Sequence, residues 1–164
     1  MMKHDWLIAE ARKWVGTVET APNRGPIVDH FIKETGGALG APWCVCFVRY
    51  CCDQVDKRAQ EIFVLEPDLH LPNNLDKTQM ALRLWEKSPE HSRSLSPLPG
   101  YIAVWRHYDA NGHATGMGHV GIVTKVIDGG RWFSSCEGNT APDTIAVIRD
   151  GDGVWERTRS AQGS

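Results

Sequence analysis

Apolar residues recur at three- and four-residue spacing through the first half of the chain and alternate with polar ones through the second. Trp6, Ile8, Ala9, Ala11, Trp14 and Val15 predict an amphipathic helix over residues 5–15 that Gly16 stops. A second helix follows Asn23-Arg24-Gly25-Pro26, with Ile27, Val28, Phe31 and Ile32 on one face. Pro26 suits its first turn and Gly36-Gly37 its end. The Gly/Pro-rich turn 36–42 leads into Trp43-Cys44 and the run Val45-Cys46-Phe47-Val48-Arg49-Tyr50-Cys51-Cys52, which reads as a buried helix. Residues 56–76 carry charges, turn signals at Pro67, Pro72 and Asn73-Asn74, and one short apolar stretch over 62–65, so they read as an irregular connection. A short helix from Asp76 or Lys77 to Lys87 presents Met80, Ala81, Leu84 and Trp85.

From Pro99-Gly100 onward the pattern predicts strands over 101–105, 120–127, 131–137, 144–149 and 154–158. Helices first and strands second indicate an α+β fold with an antiparallel sheet. The expectation is a single domain over residues 1–164, with its core at 5–158 and a loose tail at 159–164. Asp128-Gly129-Gly130 suits a tight hairpin, and a turn centred there sets His119 opposite the stretch from Glu137 to Asn139. Alternation then puts His119, Gly121 and Val123 on one face and sends Val120 and Ile122 into the core. The imidazole is expected to point off the sheet beside a glycine that leaves room for substrate.

The chemistry follows from where two of these residues fall. Cys44 stands at a helix N-terminus, where unpaired N–H groups and the helix dipole favour the nucleophilic thiolate. His119 supplies a base from a distant strand, and Glu137 or Asn139 supplies the group that orients it. The remaining cysteines, Cys46, Cys51, Cys52 and Cys136, are read as structural and reduced, because neighbours on one helix point to different sides. For the same reason one helix does not aim Cys44, Cys46, Cys51 and Cys52 at a zinc ion. His107 and His113 are read as surface loop residues within an unassigned loop, 106–118.

A net charge of -2 provides no basic field for nucleic acid or an anionic membrane. No run of about 18 apolar residues suggests membrane insertion, and the charged start lacks a signal peptide's apolar core. Synthesis in the cytoplasm is therefore expected.

In order along the chain, Ala41-Pro42-Trp43-Cys44-Val45-Cys46-Phe47-Val48, Pro99-Gly100, Gly118-His119-Val120-Gly121-Ile122-Val123 and Glu137-Gly138-Asn139 closely resemble the CHAP family, the cysteine, histidine-dependent amidohydrolases/peptidases. Asn23-Arg24-Gly25-Pro26 and its helix resemble the segment before the nucleophile in phage-type members, which extends the likeness over residues 5–150. The resemblance implies a papain-like fold and hydrolysis of amide bonds in peptidoglycan. It implies Cys44 as nucleophile, His119 as base, and Glu137 with Asn139 at the orienting position. The backbone N–H of Cys44 is the expected oxyanion donor.

No metal or organic cofactor is expected. The acidic residues through which some family endolysins bind calcium before the nucleophile are missing from 36–43, and Tyr101 replaces the aspartate common after Pro-Gly. Among amides the reading leans to an endopeptidase over the N-acetylmuramoyl-L-alanine amidase. The resemblance fits a phage endolysin or a secreted antibacterial effector. Either would act in the periplasm or cell wall, released through a holin or a secretion system, with a cognate immunity protein in the effector case. A monomer is expected. Two other classes compete: a thiol protease or transferase acting on proteins, and a non-catalytic wall-binding module.

Overall fold

The computed structural model describes residues 3–63, 75–142 and 152–161. The helices are α1 (Lys3–Arg12), α2 (Pro26–Glu34), α3 (Cys44–Phe63) and α4 (Ala81–Lys87). The strands are β1 (Ile102–Tyr108), β2 (Ala114–Ile127), β3 (Trp132–Thr140) and β4 (Gly153–Ser160), in one antiparallel sheet of order β1-β2-β3-β4. The fold is α+β in the papain-like manner, with N-terminal helices packed on a C-terminal sheet. None of the helices described is long and apolar enough to cross a membrane.

Helix α3 fills the centre because one side of it is apolar at every turn. Val45, Cys46, Phe47, Val48 and Cys51 are fully buried, and Val55 and Ala59 continue the stripe. That continuation corrects the expected irregular connection over 56–76: its first eight residues are helix, because Ala59 still faces the core while Lys57, Arg58 and Gln60 face solvent. Phe31 of α2 packs against Phe47 at 5.6 Å between ring centroids, and Val28 and Ile32 are buried beside it. Helix α1 ends at Arg12, short of the expected 15, and tight bonds such as Lys13 N–H to Glu10 O (3.2 Å) turn the chain toward Gly16. Helix α4 starts at Ala81 rather than 76 or 77, because Thr78 N–H bonds to Asp76 O and Met80 N–H to Thr78 Oγ1 in a turn ahead of it.

The hairpin at 128–130 is present, with Ile127 paired to Trp132, and positive φ angles at Asp128, Gly129 and Gly130 make the reversal. A bulge past Val123 separates this end from the pairs Val123–Ser135 and Ile122–Cys136. Val120 and Ile122 enter the core as expected, but Val123 is fully buried as well. The chain entering β1 runs beside it, with Val123 N–H bonded to Tyr101 O and Gly100 N–H to Val123 O, both at 2.8 Å.

Two further expectations are corrected. Much of the stretch 106–118 is strand, not loop: Arg106 pairs with Gly118 and Tyr108 with Ala114, so β1 and β2 project as an arm. The arm is solvent-exposed over most of its length, so it carries no apolar alternation to read. Residues 159 and 160 are not a loose tail, because β4 pairs Arg159 with Phe133 and Ser160 with Trp132. Val154 N–H to Thr17 O (2.8 Å) and Gly16 N–H to Val154 O (2.9 Å) stitch the other end of β4 to the segment after α1. The strand expected at 144–149 lies outside the described residues.

Candidate active site

Phe47 N–H donates to Trp43 O at 3.0 Å, which makes Trp43 the cap and Cys44 the first residue of α3. The Trp43 indole is fully buried and anchors this helix end: its Nε1–H donates to Glu19 Oε1 at 2.6 Å. Gly138 of β3 lies so close that a Cβ there would meet Trp43 Cζ3 at 2.7 Å and Phe47 Cβ at 2.6 Å. The N-terminus of α3 is therefore pressed onto β3, which brings Cys44 to the sheet.

The thiol of Cys44 is hydrogen-bonded with His119 of β2. His119 Nε2–H in turn donates to Glu137 Oε2 of β3 at 3.0 Å, which fixes the tautomer and leaves Nδ1 for the thiol. The histidine side chain is 13% exposed and Glu137 is 0% exposed. Gly121 does leave room, though for Glu137 rather than for substrate: a Cβ there would stand 2.7 Å from Glu137 Cγ.

Glu137 is surrounded by donors. Ser135 Oγ–H donates to Oε1 at 2.7 Å, Arg159 Nε–H to Oε1 at 2.9 Å, and Arg159 Nη2 binds Oε2. Burial works against the charge of this carboxyl, but the bonds from Arg159 and His119 outweigh it and hold the group down at about 2. Burial likewise opposes charge on His119, yet the bonds to Cys44 and Glu137 raise the ring to about 9. The site therefore holds an imidazolium between a sulfur and a carboxylate at neutral pH. The structural cysteines behave differently: burial pushes Cys136 up to about 12 and Cys51 well above the ordinary thiol, so both stay protonated and unreactive.

Among the described residues His119 is hydrogen-bonded to Glu137 and not to Asn139. Asn139, with a φ of 57°, turns the chain after Glu137, and its Oδ1 is buried with no hydrogen-bond partner among the described residues. It lines the cleft of about 460 Å³ onto which Cys44 and His119 open. The other walls include Glu19, Asn23, Met117, Asp152 and Arg157. His107, expected on the surface, is half-buried on this wall, its ring stacked 6.4 Å from that of His119. Strand pairing puts it there, two residues from Trp105, which pairs with His119. His113 is exposed, as expected, 3.4 Å from Asp109. Among the described residues no group of three or more His, Cys, Asp or Glu is arranged to hold a metal.

Sequence reasoning missed Arg159, Ser135 and Trp105. Trp105 stacks on His119 at 5.7 Å and on Phe133 at 5.9 Å, and the Arg159 guanidinium lies over its ring at 5.4 Å. Ser135 was within reach of the alternation argument, standing two residues before Glu137 on the same face. Arg159 had no such signal, since its approach depends on the β3–β4 register.

The family model of the CHAP domain matches residues 36–139, well over half of the chain. The match contains Cys44, His119, Glu137 and Asn139 and stops short of β4. Searches of curated proteins and of solved structures found no match.

Proposed function

We propose that this chain, which belongs to the CHAP family of peptidoglycan amidases and peptidases, cleaves peptidoglycan amide bonds by acyl transfer through Cys44. The observation that carries this reading is the Cys44–His119–Glu137 relay, with the sulfur at a helix N-terminus and the relay opening on a cleft. In the resting pair His119 holds the proton of Cys44, and the thiolate attacks the carbonyl carbon. The developing oxyanion lies where the Cys44 backbone N–H, one of the unpaired first-turn donors, can hold it. Imidazolium then protonates the leaving amine as the C–N bond breaks, giving a thioester. Neutral His119 next deprotonates a water, which attacks the thioester. The C–S bond breaks, releasing a carboxylic acid and restoring the thiolate–imidazolium pair. Glu137 keeps Nε2 protonated and the ring turned toward the sulfur throughout.

Within this chemistry the reading favours endopeptidase action in the stem peptide, since an open cleft accepts an extended chain on both sides of the thiol. It places the enzyme in the periplasm or wall, as a monomer, as an endolysin or as an effector countered by an immunity protein. Neighbouring genes for a holin or for an immunity protein separate these two roles.

The test is the bond broken. Purified sacculi treated with the protein should gain free amino groups, with sugar still joined to peptide in the fragments. New reducing ends with intact peptides would overturn amide hydrolysis, because glycoside cleavage needs paired carboxylates flanking a sugar. Free glycan with intact stem peptides would move the cut to the muramoyl–alanine bond. Activity on casein with none on sacculi would make the substrate a protein.

A further inference from the structure

Glu137 has three hydrogen-bond partners among the described residues: Ser135, His119 and Arg159. Only the last two carry charge, and only Arg159 carries it permanently. Among the described residues, the ionisable groups against the His119–Glu137 pair are Cys44 from α3, His107 from β1 and Arg159 from β4, with Cys136 next to Glu137 on β3. Arg157, Glu19 and Asp152 stand on the wall of the same cleft.

On the acyl-transfer reading above, the charges here change during turnover. Before attack, the thiolate and imidazolium offset each other, and Glu137 is flanked by two cations. Once the leaving amine has departed with the histidine's proton, the sulfur is an uncharged thioester and His119 is neutral. Glu137, fully buried, then faces Arg159 as its sole cation among the described residues. A buried carboxylate stripped of every counter-charge is costly, and its usual escape is to take up a proton. Were Glu137 to take the His119 Nε2 proton while Nδ1 took one from solvent, the neutral ring would carry its single proton on Nδ1, the wrong tautomer to accept one from the attacking water.

We propose that Arg159 is a positioning residue that keeps Glu137 ionised while His119 is neutral, and so serves the hydrolysis of the acyl-enzyme more than its formation. Its geometry suits the task. The guanidinium grips both carboxylate oxygens, one through Nε and the other through Nη2, a two-point contact that an ammonium lacks. The Trp105 ring beneath it, itself stacked on His119, fixes its plane relative to the histidine.

The test compares Arg159→Gln with Arg159→Lys on cross-linked muropeptides, alongside circular dichroism to establish folding. Arg159→Gln should lower kcat by about tenfold or more with no rise in KM, and should accumulate a thioester visible by intact-protein mass spectrometry. Arg159→Lys keeps the charge and should lie between this variant and wild type. In a Cys44→Ala background, which reproduces the uncharged sulfur of the acyl-enzyme, NMR of the His119 ring nitrogens and the Glu137 carboxyl follows the pair directly. There Arg159→Gln should raise the pH at which the pair gives up its shared proton by at least about one unit, and Arg159→Lys by much less.

A folded Arg159→Gln protein with wild-type kcat, no accumulated thioester and an unshifted titration overturns the proposal. So does a loss confined to KM. If Arg159→Gln does not fold, Arg159→Lys decides: more than about tenfold loss of kcat with the parent's titration unchanged overturns it, and retention of both supports it. If wild type leaves muropeptides uncut, the hydrolase reading fails by itself, and the titrations still judge Arg159.

Discussion

Cys136 and Glu137 are neighbours on one strand, both with no exposure, and they end in opposite charge states. Cys136 belongs to the face that packs on the helices, with Val120, Ile122 and Val154, where burial meets few opposing charges and keeps the thiol neutral. Glu137 belongs to the other face, with His119, Ser135, Trp105 and Arg159, where burial is as complete but ionic partners outweigh it. The period of a β-strand is thus enough to set an inert thiol beside a carboxylate ionised at neutral pH. One face holds the fold together, and the other carries the groups proposed to do the chemistry.

If the faces divide labour in this way, variants should divide too. The largest effect is expected where the polar face meets α3: Cys44→Ser or His119→Ala should cut amide release from sacculi by at least about a thousandfold with the fold retained. Next, Glu137→Gln should lower kcat by about ten- to a thousandfold, whereas Cys136→Ala should stay within about threefold of wild type. Asn139→Ala should cost less than Glu137→Gln in initial rates on one substrate; the reverse ranking would transfer the orienting role to Asn139. On the helix face, Ile122→Ala should remove about 2–4 kcal/mol of stability in denaturant titrations while leaving the rate per folded molecule nearly intact. A loss of kcat in that variant without a loss of stability would erase the distinction.

The smallest and most gradual effect is on stability against pH. Glu137 is held at about 2 against an ordinary 4.5, so its contribution is complete above about 4.5 and fades as pH falls toward 2. His119 is raised to about 9 from 6.5, so its contribution is complete below about 6.5 and fades as pH rises through 9. Melting temperature should therefore be highest between these limits, and Glu137→Gln should flatten the acid side of the curve. An acid side identical in wild type and Glu137→Gln would show that the carboxylate is not ionised in the folded state.

How much of this was legible depended on how local the signal was. The His119–Glu137 encounter was legible because a three-residue turn fixes the register of the strands on either side of it. Cys44 was legible because a glycine- and proline-rich turn followed by unbroken apolar residues marks a buried helix start. Arg159 was not, since residues 141–152 separate β3 from β4, too long a stretch for one tight turn to fix their register, and an arginine there looks like solvated charge. The far half of α3 was masked by its own outer face, where Asp56, Lys57 and Arg58 outnumber Val55 and Ala59. The hairpin arm was hidden for the opposite reason, since main-chain pairing there proceeds without burying side chains.

The stitching of β4 to Gly16 and Thr17 also has a temporal meaning. A ribosome delivers Cys44, His119 and Glu137 well before Arg159, so a growing chain can collapse around α3 while its glutamate still lacks a guanidinium. The partly made polypeptide would carry all the residues of the family motif before the guanidinium proposed to keep their glutamate ionised. On that proposal, hydrolysis of the acyl-enzyme would reach its full rate only once the fourth strand has paired with the third and bonded to the segment after the first helix.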